Sequence, residues 1–417
     1  MRLLRFPARL SLLAFVGCMI FTSEATENDS DRAASVLFSA VLQECSRLQR
    51  TNFVFSPFSI MAVFHMAQRG AEGHTRLQMD SLLPPDTSFR LPDLKFSPWD
   101  PEEEVVLLDV ANRIYVDDTL EKNPYFSNFA KDLIQQMSGD AKAISFKDPD
   151  LAAHEINAFV AEKTRNHITE LLSASSLSPL SRMVLVNALY FKAPWLHPFS
   201  KNRTSEGIFY AETGPGQTKT QHVRFMRQRL ENGFTYLKEE GITAFSLPYV
   251  DHRLKLNVYM PDDIRAFEVQ LAANPQHLEE LAARLGRSSL PEHELVLSFP
   301  KFKLTAENNS LDLVELFKGF GVDLMFTRGK ADFSGMSGNQ ELYVSSYVHQ
   351  ADIEVDEEGT EAAAATAMGI MAMSLPLPKT PLPVTVDKPF IFQVWLEEEN
   401  AFHVLFAGRI GDPRAAQ

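Results

Sequence analysis

Apolar side chains recur at three- and four-residue steps along several stretches, the spacing that places them on one face of an α-helix. Residues 31–49 show it clearly after an Asp-rich start. A second helix is predicted to begin after Ser56, because its hydroxyl can cap the first turn and Pro57 suits the first helical position, with Gly70 as a stop. Further helices are predicted at 123–137, 149–167, 264–273, 276–286 and 310–319.

Other stretches are rich in Val, Leu, Phe and Tyr, which favour β-strands. They predict strands at 104–116, 182–192, 234–260, 294–304, 340–356, 383–397 and 402–410. Helices predominate in the first half of the chain and strands in the second. This order favours an α+β fold over a regular βαβ repeat, and no flexible linker separates two halves.

One segment departs from both patterns. Residues 357–381 begin with small side chains, carry no charge from Ala362 to Pro378, and end in prolines. The segment follows one predicted strand and precedes another. Loops longer than about fifteen residues inside one domain are commonly functional, so this segment is the first candidate for a site.

The amino terminus has the pattern of a secretory signal peptide. Arg2, Arg5 and Arg9 precede an apolar run from Leu10 to Phe21, and small residues follow up to Ala25. We therefore expect residues 1–25 to be removed and the chain to be secreted and extracellular. The run is too short to span a bilayer comfortably, and no contact with a membrane is expected.

Secretion would have two chemical consequences. Three sequons become candidate glycosylation sites, at Asn28, Asn202 and Asn308. Cys18 would leave with the signal peptide, so Cys45 would be the one remaining cysteine and no intrachain disulfide could form. Cys45 lies among apolar helix positions, where burial is favoured over an accessible thiol.

Composition and charge narrow the class of protein. The chain has 417 residues, 45% of them hydrophobic, which suffices for a large core. Its 40 Lys and Arg against 54 Asp and Glu give a net charge of −14, which argues against nucleic-acid binding. The densest basic stretch favours a solvated strand face, with polyanion binding as the open alternative; it comprises Lys219, His222, Arg224, Arg227 and Arg229.

No motif of catalysis or metal binding is present. GxSxG, HExxH, P-loop and GxGxxG patterns are all missing, and His154-Glu155 lacks a second histidine four residues on. We therefore predict no enzyme activity, no metal and no cofactor.

Seven blocks of sequence resemble the serpin family, in family order, between about residues 30 and 413. Residues 355–366 resemble its reactive-loop hinge and residues 187–195 its central strand and turn. The other five blocks are 55–60, 299–302, 331–335, 387–390 and 406–410. The resemblance implies one domain over residues 26–417, with three β-sheets, eight or nine helices and an exposed reactive loop at about 357–381.

The family implies a suicide-substrate inhibitor of serine proteases. The target cleaves the loop, forms a covalent acyl-enzyme complex, and is trapped as the cut loop inserts into the main sheet. The inhibitor is expected to be a monomer. The alternative is a non-inhibitory serpin that acts as a carrier or chaperone, but such proteins usually have charged, bulky or proline residues in the hinge.

The resemblance also assigns residues. The hinge comprises Glu357, Gly359, Thr360, Ala362, Ala364 and Thr366. Alternate side chains of an inserting strand face the core, and here they are small. Counting Glu357 as first, the seventeenth residue is Met373, so Met373-Ser374 is the predicted reactive bond, suited to an elastase-like or chymotrypsin-like protease. Met371 and Leu375 are neighbouring alternatives.

Two further inferences follow from the family. Ser56, Ser59, Asn187 and His349 match a polar cluster under the main sheet, where its strands part. Residues 84–104 match the helix that binds heparin in the best-known heparin-activated serpins, but they are proline-rich and acidic here. Activation by a glycosaminoglycan is therefore possible but unsupported.

Overall fold

The computed structural model describes most of the chain, namely residues 28–48, 50–85, 106–137, 139–214, 217–305, 311, 313–357, 359, 379–398 and 402–416. Within these ranges there are nine α-helices and fifteen strands. The helices are α1 (Asn28–Arg47), α2 (Pro57–Gln68), α3 (Gly73–Leu82), α4 (Pro124–Met137), α5 (Pro149–Lys163), α6 (Ile264–Ala273), α7 (His277–Arg287), α8 (Leu313–Gly319) and α9 (Ser334–Ser337).

The largest sheet has six strands in the order β1-β15-β14-β9-β8-β7, and every neighbouring pair is antiparallel. Its strands are β1 (Phe53–Phe55), β7 (Thr235–Glu239), β8 (Ile242–Pro248), β9 (Leu254–Pro261), β14 (Phe390–Glu397) and β15 (Phe402–Ile410).

A second sheet has four strands in the order β13-β10-β6-β5. Its strands are β5 (Ser205–Gly214), β6 (Gln217–Leu230), β10 (His293–Pro300) and β13 (Thr380–Thr385). Among the strands that the structure describes, β13 lies at the edge and pairs in parallel with β10 alone.

The third sheet has five strands in the order β11-β12-β4-β2-β3. Its strands are β2 (Leu107–Asp117), β3 (Asp140–Ile144), β4 (Met183–Lys192), β11 (Phe302–Leu304) and β12 (Val344–Val355). Its central contact, between β12 and β4, is parallel, whereas β12 pairs antiparallel with β11 and β4 antiparallel with β2. We call this contact the β12–β4 seam.

Helices cover both faces of the five-stranded sheet. All twelve residues of α2 are buried, and the helix lies among side chains of β2, β4, β12 and β15. α5 covers the opposite face, where its apolar side chains pack against β2 and β4. The two faces of β4 are therefore both buried, which explains its continuous apolar sequence.

The α+β fold with three sheets is confirmed. α6 has the predicted bounds, and Cys45 is buried as expected, with burial raising the pKa of its thiol to about 12. The predicted helix 149–167 ends at Lys163, since Arg165 and Asn166 adopt left-handed backbone angles. The predicted strand 234–260 is three strands, β7, β8 and β9.

Three other features bear on the expectations from the sequence. Among the described helices, none has the length and apolar character needed to cross a bilayer. The predicted signal segment 1–25 lies outside the described residues. So do seven of the predicted site residues: Asn308, Thr360, Ala362, Ala364, Thr366, Met373 and Ser374.

Candidate functional site

The candidate loop connects two different sheets. It leaves the five-stranded sheet after β12 and joins the edge of the four-stranded sheet at β13. Both of its ends, at Glu357 and Lys379, are described. Each end is attached to the body of the protein by specific contacts.

Glu357 attaches the first end. Its side chain is 4% exposed and accepts hydrogen bonds from Lys301 Nζ at 2.5 Å and from Thr204 Oγ1 at 2.7 Å. Its carbonyl accepts from the backbone N–H of Phe199 at 2.7 Å. Burial alone would raise the pKa of Glu357, but the Lys301 and Thr204 hydrogen bonds outweigh it and the pKa is lowered. The carboxylate is therefore a charged anchor.

Gly359 lies where two backbone segments approach each other closely. Its φ is +80°, in the left-handed region, and a Cβ there would lie 2.3 Å from the backbone nitrogen of Trp195. The indole of Trp195 donates to the carbonyl of Asp356 at 2.9 Å. The chain thus turns away from β12 against a rigid surface, and only glycine fits.

Lys379 attaches the second end. Its ammonium group donates to the carbonyl of Glu231, and the next backbone N–H, of Thr380, donates to the carbonyl of Glu292 at 2.9 Å. Lys379 is therefore held against the four-stranded sheet, at the first residue before β13.

A row of polar side chains crosses the five-stranded sheet on the face toward α2. His349 on β12 is the register partner of Asn187 on β4, and Asn187 is the partner of Asn112 on β2. Asn187 Nδ2 donates to Asn112 Oδ1 at 2.6 Å and to Ser59 Oγ at 2.5 Å. Ser56 caps α2 by accepting from the backbone N–H of Ser59 at 3.1 Å. The four predicted residues are therefore brought together at the β12–β4 seam.

The hydrogen bonds determine the tautomer of His349. The backbone N–H of Ser56 donates to Nε2 at 3.1 Å, so Nε2 accepts and Nδ1 carries the proton that is donated to Asn187 Oδ1. Burial lowers the pKa of His349 to about 3. The imidazole is therefore neutral at physiological pH, and its hydrogen bond to Asn187 joins the two strands of the seam.

Comparison with known proteins identifies the family. Residues 32–413 match the family described as Serpin (serine protease inhibitor). The chain belongs to the serpin family. Leukocyte elastase inhibitor of Equus caballus is 31% identical over 369 residues, which cover 87% of this chain and 93% of the relative. Serpin B6 of Pongo abelii is 33% identical over 374 residues, with the same shares covered.

Solved serpin structures share the fold. The thermophilic serpin tengpin in its native state has a TM-score of 0.73 and 25% identity, and covers 94% of this chain and 96% of its own. Serpin-12 of Manduca sexta has a TM-score of 0.71 and 24% identity, covering 93% and 98%. Serpins are protease inhibitors rather than catalysts, and the relatives are named inhibitors, which agrees with the prediction of no enzyme activity.

The prediction of an extracellular protein is wrong. Leukocyte elastase inhibitor, Serpin B6 and Serpin B9 are intracellular serpins of clade B without secretory signals. The prediction rested on basic residues before a short apolar run, a composition that does not by itself distinguish a leader from other apolar segments.

Of the sequons, Asn28 begins α1, Asn202 is exposed in a short 3₁₀ helix, and Asn308 lies outside the described residues.

Three residues of this serpin site were missed from the sequence. Asn112 completes the polar row, and the signal was the one amide in β2, a strand whose apolar residues are interrupted by charged ones. Lys301 and Thr204 hold Glu357 from positions 56 and 153 residues away along the chain.

The basic stretch lies on β6, where Arg229 pairs with Glu294 at 2.9 Å and Lys219, His222 and Arg224 are exposed. Among the described residues, no cluster of His, Cys, Asp and Glu suits a metal ion.

Proposed function

We propose that this serpin is a suicide-substrate inhibitor of elastase-like or chymotrypsin-like serine proteases, with residues 357–379, which end where β13 begins, as its reactive loop. The observation that carries the proposal is the parallel β12–β4 seam, because the loop departs from the end of β12. A strand that turns back at Gly359 runs antiparallel to β12. Since β4 is parallel to β12, the same strand is antiparallel to β4 as well.

Inserting such a strand replaces one parallel contact by two antiparallel contacts. Antiparallel pairing is slightly more stable per residue, and the number of ladder hydrogen bonds roughly doubles at the seam. Each net hydrogen bond contributes about 0.5–1.5 kcal/mol. The uncut protein is therefore proposed to be metastable, and the added strand supplies the free energy for trapping.

The hinge composition supports the same transition. If the strand turns directly after Gly359, the four alternate residues from Thr360 to Thr366 fall opposite Val355, Ile353, Ala351 and His349, of which the first three pack into the apolar core. The inward residues are two threonines and two alanines. Small side chains can enter a packed core, whereas a charged or bulky one would be strongly unfavourable.

The proposed reactive bond is Met373-Ser374. The protease serine attacks the carbonyl carbon of Met373, the peptide bond breaks, and the amine of Ser374 leaves, which produces an acyl-enzyme ester. Insertion of the cut loop displaces the protease before water hydrolyses this ester. The product is a covalent one-to-one complex of protease and monomeric inhibitor.

Two observations support this choice of bond and target. Relatives are named leukocyte elastase inhibitors, which agrees with an apolar primary residue. Lys379, the basic alternative for a trypsin-like protease, is held against the four-stranded sheet by its side chain and by the hydrogen bond of the next residue. A protease needs several extended residues free on both sides of the bond that it cuts.

Incubation with neutrophil elastase tests the proposal. We expect an SDS-stable complex, and mass spectrometry should find a released peptide that begins at Ser374. Met373→Leu should retain the complex, and Met373→Arg should move inhibition toward trypsin. Met368→Leu is the matched control in the same loop and should change nothing.

Two results would contradict the proposal. Cleavage without a complex would favour the non-inhibitory serpin, and a peptide that begins after Lys379 would disprove the reactive bond.

A further inference from the structure

The β6–β7 turn, residues 231–234, carries the chain from the four-stranded sheet to the six-stranded sheet. β6 pairs with β5 and β10 whereas β7 pairs with β8, so the turn does not close a hairpin. Residues 231–233 are exposed, and Gly233 has a φ of +74°, in the left-handed region that favours glycine. A Cβ at Gly233 would also lie 3.0 Å from Nε2 of His197, so the turn requires glycine at this position.

Gly233 follows Asn232, and this is the one Asn-Gly pair in the sequence. Within the described residues, the side chain of Asn232 has no hydrogen-bond partner, and the N–H of Gly233 donates to none. The side-chain amide of Asn232 and the next backbone nitrogen are therefore both free to react, and Gly233 has no side chain to keep them apart.

An asparagine in this setting can react with its own backbone. The nitrogen of Gly233 bonds to Cγ of Asn232, the bond from Cγ to Nδ2 breaks, and Nδ2 leaves as ammonia with the proton that Gly233 loses. The product is a five-membered succinimide, which water opens at either carbonyl to give aspartate or isoaspartate. In isoaspartate the main chain runs through the former side chain. It is therefore longer by one methylene group, and a carboxylate replaces a neutral amide.

Two other asparagines in the described part of the chain precede an alanine, and both are protected. Asn187 is fully buried in β4, and its side chain is bonded to the residues of the polar row. Asn157 lies within α5, where its side chain donates to the carbonyl of Leu172 at 2.8 Å and accepts from the N–H of Leu171 at 3.0 Å. The fold therefore distinguishes Asn232 from both.

The β6–β7 turn also holds the second end of the candidate loop. The carbonyl of Glu231, the residue before Asn232, accepts a hydrogen bond from the ammonium group of Lys379. Isoaspartate would lengthen the main chain directly after this carbonyl, and the new carboxylate would compete with it for the ammonium group. The adjoining Thr380, whose N–H donates to the carbonyl of Glu292 at 2.9 Å, would then be held less firmly.

We propose that Asn232-Gly233 is a site of spontaneous deamidation, and that its conversion to isoaspartate releases Lys379 from the β6–β7 turn. Water is the one co-reactant that the chemistry needs. The inference does not depend on the proposed function, because the turn and Lys379 are in contact whether or not the serpin traps a protease.

The test is to incubate the folded, full-length protein at mildly alkaline pH, which favours loss of the Gly233 N–H proton, and to map its peptides by mass spectrometry. Methylation by an isoaspartyl methyltransferase identifies the isoaspartate. Conversion should be at least about tenfold faster at Asn232 than at Asn157, because Asn157 can react only when its helix opens. Asn232→Gln is the control, since it keeps an amide but would have to close a six-membered ring, and it should stay unmodified.

Hydrogen exchange measures the consequence for the loop. In the aged parent, the amides of β13 should exchange at least about threefold faster than in the fresh protein. The aged Asn232→Gln variant should exchange like the fresh parent. Equal conversion at Asn232 and Asn157 would overturn the modification site, and conversion without faster exchange in β13 would overturn the release of Lys379.

Discussion

The β12–β4 seam and the centre of the six-stranded sheet differ in the relative direction of their strands. β14 pairs antiparallel with both β9 and β15, so a strand inserted at either contact would be parallel to one neighbour. The β12–β4 seam is parallel and can accept a strand that is antiparallel to both sides. The direction of two strands thus distinguishes a permanent contact from one that can be extended.

The side chains at these two contacts also differ. Phe390, Ile391, Phe392 and Val394 of β14 are fully buried, and opening their contacts would expose a large apolar area to water. The seam is joined by a hydrogen bond between His349 and Asn187. The polar groups of this pair can find new partners on an entering strand or in water, whereas the apolar side chains of β14 cannot.

Cleavage of the loop should give the largest effect. An added strand of roughly a dozen residues contributes about 0.5–1.5 kcal/mol per net hydrogen bond, so the melting temperature should rise by tens of degrees. Calorimetry before and after verified cleavage at Met373 measures it. An unchanged melting curve would mean that the seam does not accept the strand. Thr360→Arg, cleaved in the same way, should show little of the rise, and Glu361→Arg is its neighbouring control.

Phe392→Ala tests the permanent contact. Removing this buried ring from β14 should lower the free energy of unfolding by about 3–5 kcal/mol. The loss should be equal in intact and cleaved protein, because the six-stranded sheet is unchanged by insertion. Denaturant titrations of both forms provide the measurement, and a loss confined to one form would refute the comparison.

Asn187→Ala tests the seam. It removes the oxygen that accepts from the Nδ1–H of His349 and the amide that donates to the hydroxyl of Ser59. The free energy of unfolding of the intact protein should fall by about 1–3 kcal/mol. The cleaved protein should lose less, since an inserted strand already separates Asn187 from His349. The same titrations apply, and an equal loss in both forms would contradict insertion at this seam.

A smaller, graded effect is expected from pH. Because burial lowers the pKa of His349 to about 3, below its ordinary value, the unfolded chain binds a proton first as the pH falls. The stability from His349 is full above about pH 6.5 and decreases toward pH 3, by at most about 1.4 kcal/mol per pH unit. His349→Gln should have a flatter profile over that window in urea titrations. A parallel profile would mean that His349 titrates normally.

Sequence reasoning was strongest where a residue type or spacing indicates a single local structure. Ser56-Pro57 marked the start of α2, and apolar spacing predicted the bounds of α6. It was weakest for β5, where Ile208 and Tyr210 are exposed and Phe209 and Ala211 are buried, so apolar residues on both faces hide the alternation. The end of α5 was also missed, since an arginine in the left-handed region gives no signal in the sequence.

The candidate site was predicted in part. Ser56, Ser59, Asn187 and His349 were nominated from the family resemblance, and the structure brings them together. The contacts of Glu357 were not predicted, because a pairing across 56 residues with Lys301 has no periodicity. Only the fold brings such residues into contact.

The edge strand β13 has a mechanical consequence. The N–H groups of Thr380 and Val386 donate to the carbonyls of Glu292, just before β10, and of Ser298 in β10. By alternation, Pro381 and Pro383 have their nitrogens on the other edge, where no donor is needed. Two donors are therefore missing from that edge, and in the described part of the chain β13 pairs with a strand on one side only. In the proposed function, an uncut loop that began to insert would be stretched between two sheets, and β13 would be the support that yields. The lifetime of the unused inhibitor would then depend on how firmly this one strand resists being pulled away.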